Sequence, residues 1–439
     1  MSLTFRKDFI ASQNLVSQVG PNVVLTRAGD EGTQVNSSGW IEKVLANVPR
    51  FTHDPVTKAL KGLLLESTAR TNICPYGDDL TQWTTEDATV DANATVAPDG
   101  NTTADRINVD ATNARHGVFI PSSAAASAAQ PYVVSAFFED DGCGYCVLSA
   151  GNSSDWFGAI FNLSTQAVEG STVGTTGAYT AAGVEDWGGG RYRMWVAGTF
   201  GSTTSKNSFL CPAESASPTI SFGRPSYLAT AGKDIFAWGA NLIASKKNES
   251  FIFNTGAGFV GRGAEGFSTS DLSFYNQNEG TFYFKGWLEH PELQENGLPA
   301  FYEGANYRLR MRANVGGTLL ALVNPNPAGD SWVAGGTESV SNDTQFQAVI
   351  SCAEDDGDLF LDGVLSASDS TLDVPWPADI FQTNIPGVDD FHGIIEEMRY
   401  YNTKVDDAVG LDMSNGIFPA EAGVGSSGVG LAFGKMGMR

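Results

Sequence analysis

The chain of 439 residues carries a net charge of −24, a field that repels nucleic-acid phosphates, and it has no Lys/Arg run that could build a local basic groove. Apolar residues reach 42%, enough for sizeable cores in two to three domains, yet no stretch approaches the roughly 20 apolar residues of a membrane span. Charged residues are scarce at 17% while 50 glycines suit short strands and tight turns, which is an all-β composition.

Residues 1–72 alternate short apolar runs (Val23 to Leu25, Leu63 to Leu65) with turn chemistry at Gly29-Asp30 and Asp54-Pro55, and they show no period of 3.6. Too few large side chains are present for a separate core. The segment is therefore expected as an extended leader ordered against a sandwich or a neighbouring subunit; a floppy linker is the alternative. His53 is assigned to leader packing.

From 73 to 262 short strands recur. PYVVSAFFED (131–140) ends in the turn Asp140-Asp141-Gly142, and WFGAIFNL (156–163) follows. GRYRMWVAGTF (190–200) places Tyr192, Met194 and Val196 on one face and Arg191, Arg193 and Trp195 on the other. Glycines 256 to 266 mark a crossing into a second unit, 263–403. There TFYFKGWLEH opposes Phe282, Phe284 and Leu288 to Lys285, Trp287 and Glu289, and Asp362-Gly363 predicts a two-residue hairpin. The fold class predicted is all-β, two tandem jelly-roll sandwiches with an extended leader and a Gly-rich tail. In that tail, 404–439, Val424, Val429, Leu431, Phe433 and Met436 are either disordered or buried between subunits.

Two segments carry a resemblance. FAWGANLIASKKNESFIFNTGAGFVGRGAE (236–265) resembles the closing strand and exit segment of a β-sandwich module of bacteriophage fibres. Residues 22–83, from NVVLTRAGDEG to DDLTQW, look like the leader that precedes it in phage tail-fibre and head-fibre proteins. The opening APDGNTTADRI (97–107) is similar to carbohydrate-binding jelly rolls. LFLDGVL followed by FHGIIEEMRYYN is similar to the last strands of concanavalin A-like laminin-G sandwiches, with Gly393, Ile395, Glu396, Arg399, Tyr401 and Asn402 on the pattern. The resemblance implies a structural component of a phage virion, made in the host bacterial cytoplasm and displayed on the virion surface. It further implies a homotrimeric fibre or spike that contacts other virion proteins and host cell-surface glycan without catalysis. A capsid decoration protein and a glycan depolymerase are the alternatives.

Cys74, Cys143, Cys146, Cys211 and Cys352 are odd in number and irregularly spaced, which suits a reducing compartment; the single CxxC lacks a second pair for zinc. No cofactor is expected beyond a structural Ca2+ ion that acidic loops could hold. Glycan hydrolases of the concanavalin A type use Glu-x-Asp-x-x-Glu, but the run from Glu354 to Asp358 has Leu359 where the second acid belongs and reads as a solvated loop. Candidate glycan contacts are Trp156, Trp187, Trp332 and Trp376, which lie in or beside turns, whereas Trp195, Trp238 and Trp287 sit inside strands. Arg308, Arg310 and Arg312 share one strand face and would meet either an anionic glycan or acidic groups of this chain or a neighbouring subunit.

Overall fold

The computed structural model describes residues 2–29, 31–291, 293, 295–304, 306–323, 332–385 and 389–419. Among them the chain builds two β-sandwiches, each from two large antiparallel sheets. The N-terminal sandwich is an insertion. One of its sheets runs Ala178–Asp186, Arg191–Thr199, Pro131–Asp141, Asp234–Ile243, Thr102–Val109, Ala88–Val96; the facing sheet runs from Ala167–Val173 through Asp155–Asn162, Tyr145–Asn152 and Asn207–Ala213 to Gly117–Pro121 and Thr84–Glu86. Strand alternation places Phe138, Leu148, Phe157, Met194, Val196 and Leu242 in the core between them.

Residues 1–72 are not a layer apart, because their strands complete the C-terminal sandwich. Leu3–Asp8 and Leu60–Glu66 both pair along one edge of His392–Tyr401, and Arg50–His53 pairs with Leu60–Glu66. Val24–Arg27 pairs with Glu265–Thr269 in the opposite sheet. The physical reason is alternation: Phe5, Val23, Leu25, Phe51, Leu63 and Leu65 all point into the same core as Phe282, Phe301, Met311 and Tyr400. A half-apolar segment too poor for its own core contributes to a larger one.

The Asp362-Gly363 hairpin forms as its chemistry predicts. Leu361 faces Val364 across a two-residue turn, and both turn residues have positive φ, 45° and 81°. Glu354 and Asp355 make a similar turn between Phe346–Ala353 and Asp356–Leu361, so the run is a hairpin tip; beyond it Asp358 is tied to Lys404 and Ser368. Residues Asp407–Met413 form a helix capped by Asp406, whose side chain accepts from the Val409 N–H. The tail positions Val424, Val429, Leu431, Phe433 and Met436 lie outside the described residues. Among the described residues no helix is long and apolar enough to cross a membrane, and no three His, Cys, Asp or Glu side chains converge as metal ligands.

Candidate ligand cleft at the joint between the sandwiches

The sandwiches are joined through buried charge. The Glu265 carboxylate accepts from Arg27 Nη1 at 2.6 Å and from Arg50 Nε at 2.8 Å. Glu66 accepts from Arg50 Nη2 at 2.7 Å, from the Ser250 N–H at 2.8 Å and from Arg262. Glu249 then holds Arg262 Nη2 at 2.8 Å and Arg70 Nε at 2.7 Å. Arg27, Arg50, Glu66, Arg262, Glu249 and Glu265 are all buried. Single charges could not persist there; pairing and multiple hydrogen bonds offset the desolvation. Burial alone would raise the Glu66 carboxyl, but Arg262 and Arg50 outweigh it and hold it well below the usual range.

Asparagine amides lock the neighbouring backbone. Asn72 donates to the carbonyls of Ala240 and Ile252 and accepts from the N–H groups of Cys74 and Leu242, while Asn254 donates to the Cys74 carbonyl at 2.8 Å. These joint residues fall in the segments 22–83 and 236–265, which meet in space although about 150 residues of β-sandwich separate them in the chain.

Beside this network a cleft of about 620 Å³ opens between the sandwiches, within the usual size range of small-ligand sites. Trp187 and Trp195 line it from the N-terminal sandwich, and Trp287 and His290 from the C-terminal one. Trp187 and Trp287 are half-buried. Trp195 packs edge-on against His290 with ring centres 4.9 Å apart, and Lys61 Nζ lies over the Trp287 ring at 5.4 Å. The Arg193 face read from the alternation of residues 190–200 is the face that looks into this cleft.

The polar lining is only partly satisfied within the chain. Asn248 Nδ2 donates to Glu185 at 2.7 Å and Gln34 Nε2 donates to Glu42 at 2.7 Å, so both carbonyl oxygens point elsewhere. Those two oxygens, together with Arg193 Nε and Glu289 Oε2, are buried with no partner among the described residues. Such atoms are costly unless water or a ligand meets them. Burial, with Glu66 nearby, pushes the Glu289 carboxyl up to about 8, so it carries its proton at neutral pH. Burial and Lys247 push His392 well below the imidazole range, leaving it neutral.

Of the tryptophans expected at the surface, Trp187 reaches this cleft. Trp376 is fully buried in the C-terminal core, its Nε1 donating to the Asp373 carbonyl at 2.6 Å, so the Pro- and Asp-rich loop folds its ring inward. Trp156 is 7% exposed, and a Cβ at Gly174 would lie 2.7 Å from its ring, so glycine gives the indole its berth. Trp332 begins the strand Trp332–Ser339, and its side chain lies outside the described residues. Trp195 and Trp287, read as strand-interior residues, do line the cleft. Each stands on the strand face turned away from its own sandwich core, and that outer face becomes a cleft wall when two sandwiches abut.

The arginine stripe is drawn inward. Arg308 and Arg310 are buried, Arg308 pairing with Glu303 and Arg310 bonding the Tyr302 side chain. Arg312 is half-buried and lies 3.4 Å from Glu295. The intervening Leu309, Met311 and Ala313 face the core, as period two requires. All five cysteines are free and buried.

No protein-family model and no curated protein matches this sequence. Solved structures do show partial likeness. A carbohydrate-binding CBM40 domain of a Ruminococcus gnavus sialidase, bound to α2,3-sialyllactose, is 14% identical over 32% of this chain and 83% of its own, with a TM-score of 0.29. The botulinum neurotoxin serotype D binding domain is 12% identical over 35% of this chain and 40% of its own, with a TM-score of 0.28. A Trypanosoma rangeli sialidase is 11% identical over 71% of this chain and 61% of its own, with a TM-score of 0.29. At these scores the neighbours do not say what this chain binds.

Proposed function

We propose that this chain is a structural protein of a bacteriophage virion, a homotrimeric fibre or spike that recognises host surface glycan without cleaving it. The observation that carries the reading is the aromatic and polar cleft built on the joint between the sandwiches. Sugars offer C–H faces to indole rings and hydroxyls to polar side chains, and the cleft is lined by both. The phage assignment is supported by the leader and exit segments, whose resemblance to fibre modules now has a structural meaning: their charged residues are the ones that close the joint.

Immunogold labelling of purified particles is the direct test, combined with light scattering of the isolated protein. Label on a fibre or capsid appendage and a mass of three chains are expected. Absence from particles overturns the virion assignment, and a stable micromolar monomer overturns the fibre. Label confined to the capsid shell, with no adsorption role, selects the decoration alternative.

One arrangement favours a second reading, cleavage of the bound glycan: Glu289, whose carboxyl burial raises to about 8, lines the same cleft as Asp54 and Glu185, the residue types of a general acid site. Binding without cleavage is preferred because one Glu289 oxygen has no solvent access and its backbone carbonyl anchors Lys247 in the joint. Shortening of host polysaccharide by the wild type, lost in Glu289→Gln, selects the depolymerase.

A further inference from the structure

We infer that the joint cleft takes a neutral oligosaccharide and turns acidic glycans away. This rests on the glycan reading above and goes beyond it by naming the ligand class.

The charge of the lining argues first. Among the described lining residues Asp54, Glu185, Asp186 and Asp343 stand against Lys61 and Arg193, while Glu249 is paired with Arg70 and Arg262 and Glu289 holds its proton. Both cations already face acids: Lys61 pairs with Asp343, and Arg193 Nη1 lies 3.8 Å from Glu185. A sugar carboxylate or sulfate would have to displace a carboxylate already in place, and the surrounding acids would repel it. The deeper Arg50 and Arg262 are fully buried and paired with Glu66, Glu249 and Glu265. The strand that could have drawn a polyanion elsewhere has Arg308 and Arg310 buried.

The aromatic lining argues independently. The apolar faces of Trp187 and Trp287 suit the C–H face of an uncharged pyranose.

The test is tryptophan fluorescence and calorimetry on the full chain with two neutral probes, maltoheptaose and tetra-N-acetylchitotetraose, and two acidic ones, a hyaluronan octasaccharide and a heparin hexasaccharide. Titrations run at about 50 and about 500 mM NaCl. A neutral probe is expected to bind with affinity nearly independent of salt. Trp287→Ala and Trp187→Ala, each with an unchanged far-ultraviolet circular dichroism spectrum, should weaken that binding by about tenfold. Binding confined to the acidic probes and falling steeply with salt overturns the inference, and so does failure of every probe to bind. Host envelope polysaccharide separates this inference from the reading beneath it. If wild type and both variants capture it equally, glycan recognition stands but resides elsewhere and the inference falls; if wild type does not capture it, both fall.

Discussion

Replacing Glu66 with Gln probes the joint with almost no change of volume. The carboxylate is shared by Arg50 and Arg262, both fully buried, and it also receives the Ser250 N–H and hydroxyl. Gln removes the charge while leaving two guanidinium groups in a dry site, and removing one partner of a buried pair costs about 3–5 kcal/mol. That corresponds to a roughly hundredfold to few-thousandfold fall in the folded-to-unfolded ratio of the cooperative unit that contains the joint. Urea denaturation followed by tryptophan fluorescence measures it, since Trp187, Trp195 and Trp287 border the joint. The control is Lys61→Ala, which breaks a pair whose Asp343 partner is 71% exposed and should cost about 0–1 kcal/mol. If Glu66→Gln costs no more than Lys61→Ala, the network does not hold the sandwiches together and the reasoning fails.

Acid should open the same joint. Burial opposes ionisation of Glu249, but Arg70 and neighbouring charges win and hold it at about 2, against 4.5 ordinarily. A depressed carboxyl stabilises the fold above its unfolded value, and that stability is lost as pH falls from about 4.5 towards 2; urea midpoints over this range check it, and a flat profile refutes it. Glu289 has the opposite sign: its folded pKa is raised to about 8, so its contribution is complete below 4.5 and drains away as pH rises through 8. Glu289→Gln should therefore gain on wild type as pH climbs from 5 to about 8, and parallel curves would refute the protonated state. Burial raises the thiols of Cys74 and Cys143 to about 12. Ellman's reagent at neutral pH should find the native cysteines unreactive and all five reactive in denaturant; rapid native labelling would show that the cores open.

The sandwich architecture was legible because strand alternation and turn chemistry are local. Arg193 and Trp195 were placed opposite Met194 and Val196, and Asp362-Gly363 was placed in a turn, each from a few neighbouring residues. What the sequence could not display was which strands meet across hundreds of residues. The leader's Phe5, Leu63 and Leu65 carry a two-residue period that names a buried face without naming the sheet that buries it. The candidate site divided in the same way. Trp187 lies in the cleft, but Trp195 and Trp287 acquire their role only from abutment of two domains, and Trp376 is withdrawn into the core by a loop whose composition looked exposed. The buried joint was hidden for a further reason: Arg50, Glu66, Arg262 and Glu265 are unremarkable as scattered charges until the fold removes them from water.

The pairing of Leu3–Asp8 with His392–Tyr401 sets an order of events on the ribosome. Leu3–Asp8 lacks its ladder with His392–Tyr401 until almost four hundred further residues have emerged, so that pairing must wait for them. Strands of the inserted sandwich from Thr84 to Ile243 find their neighbours within that one stretch and can close while the rest is still being translated. The completed insert then stands between the waiting leader and its late partner, and the short path that carries the chain out through Arg262 and Glu265 brings the exit segment back to the leader's arginines. Capture of Leu3–Asp8 by His392–Tyr401 thus follows closure of the insert, and a nascent chain stalled before residue 392 would hold a finished sandwich beside an unclosed one.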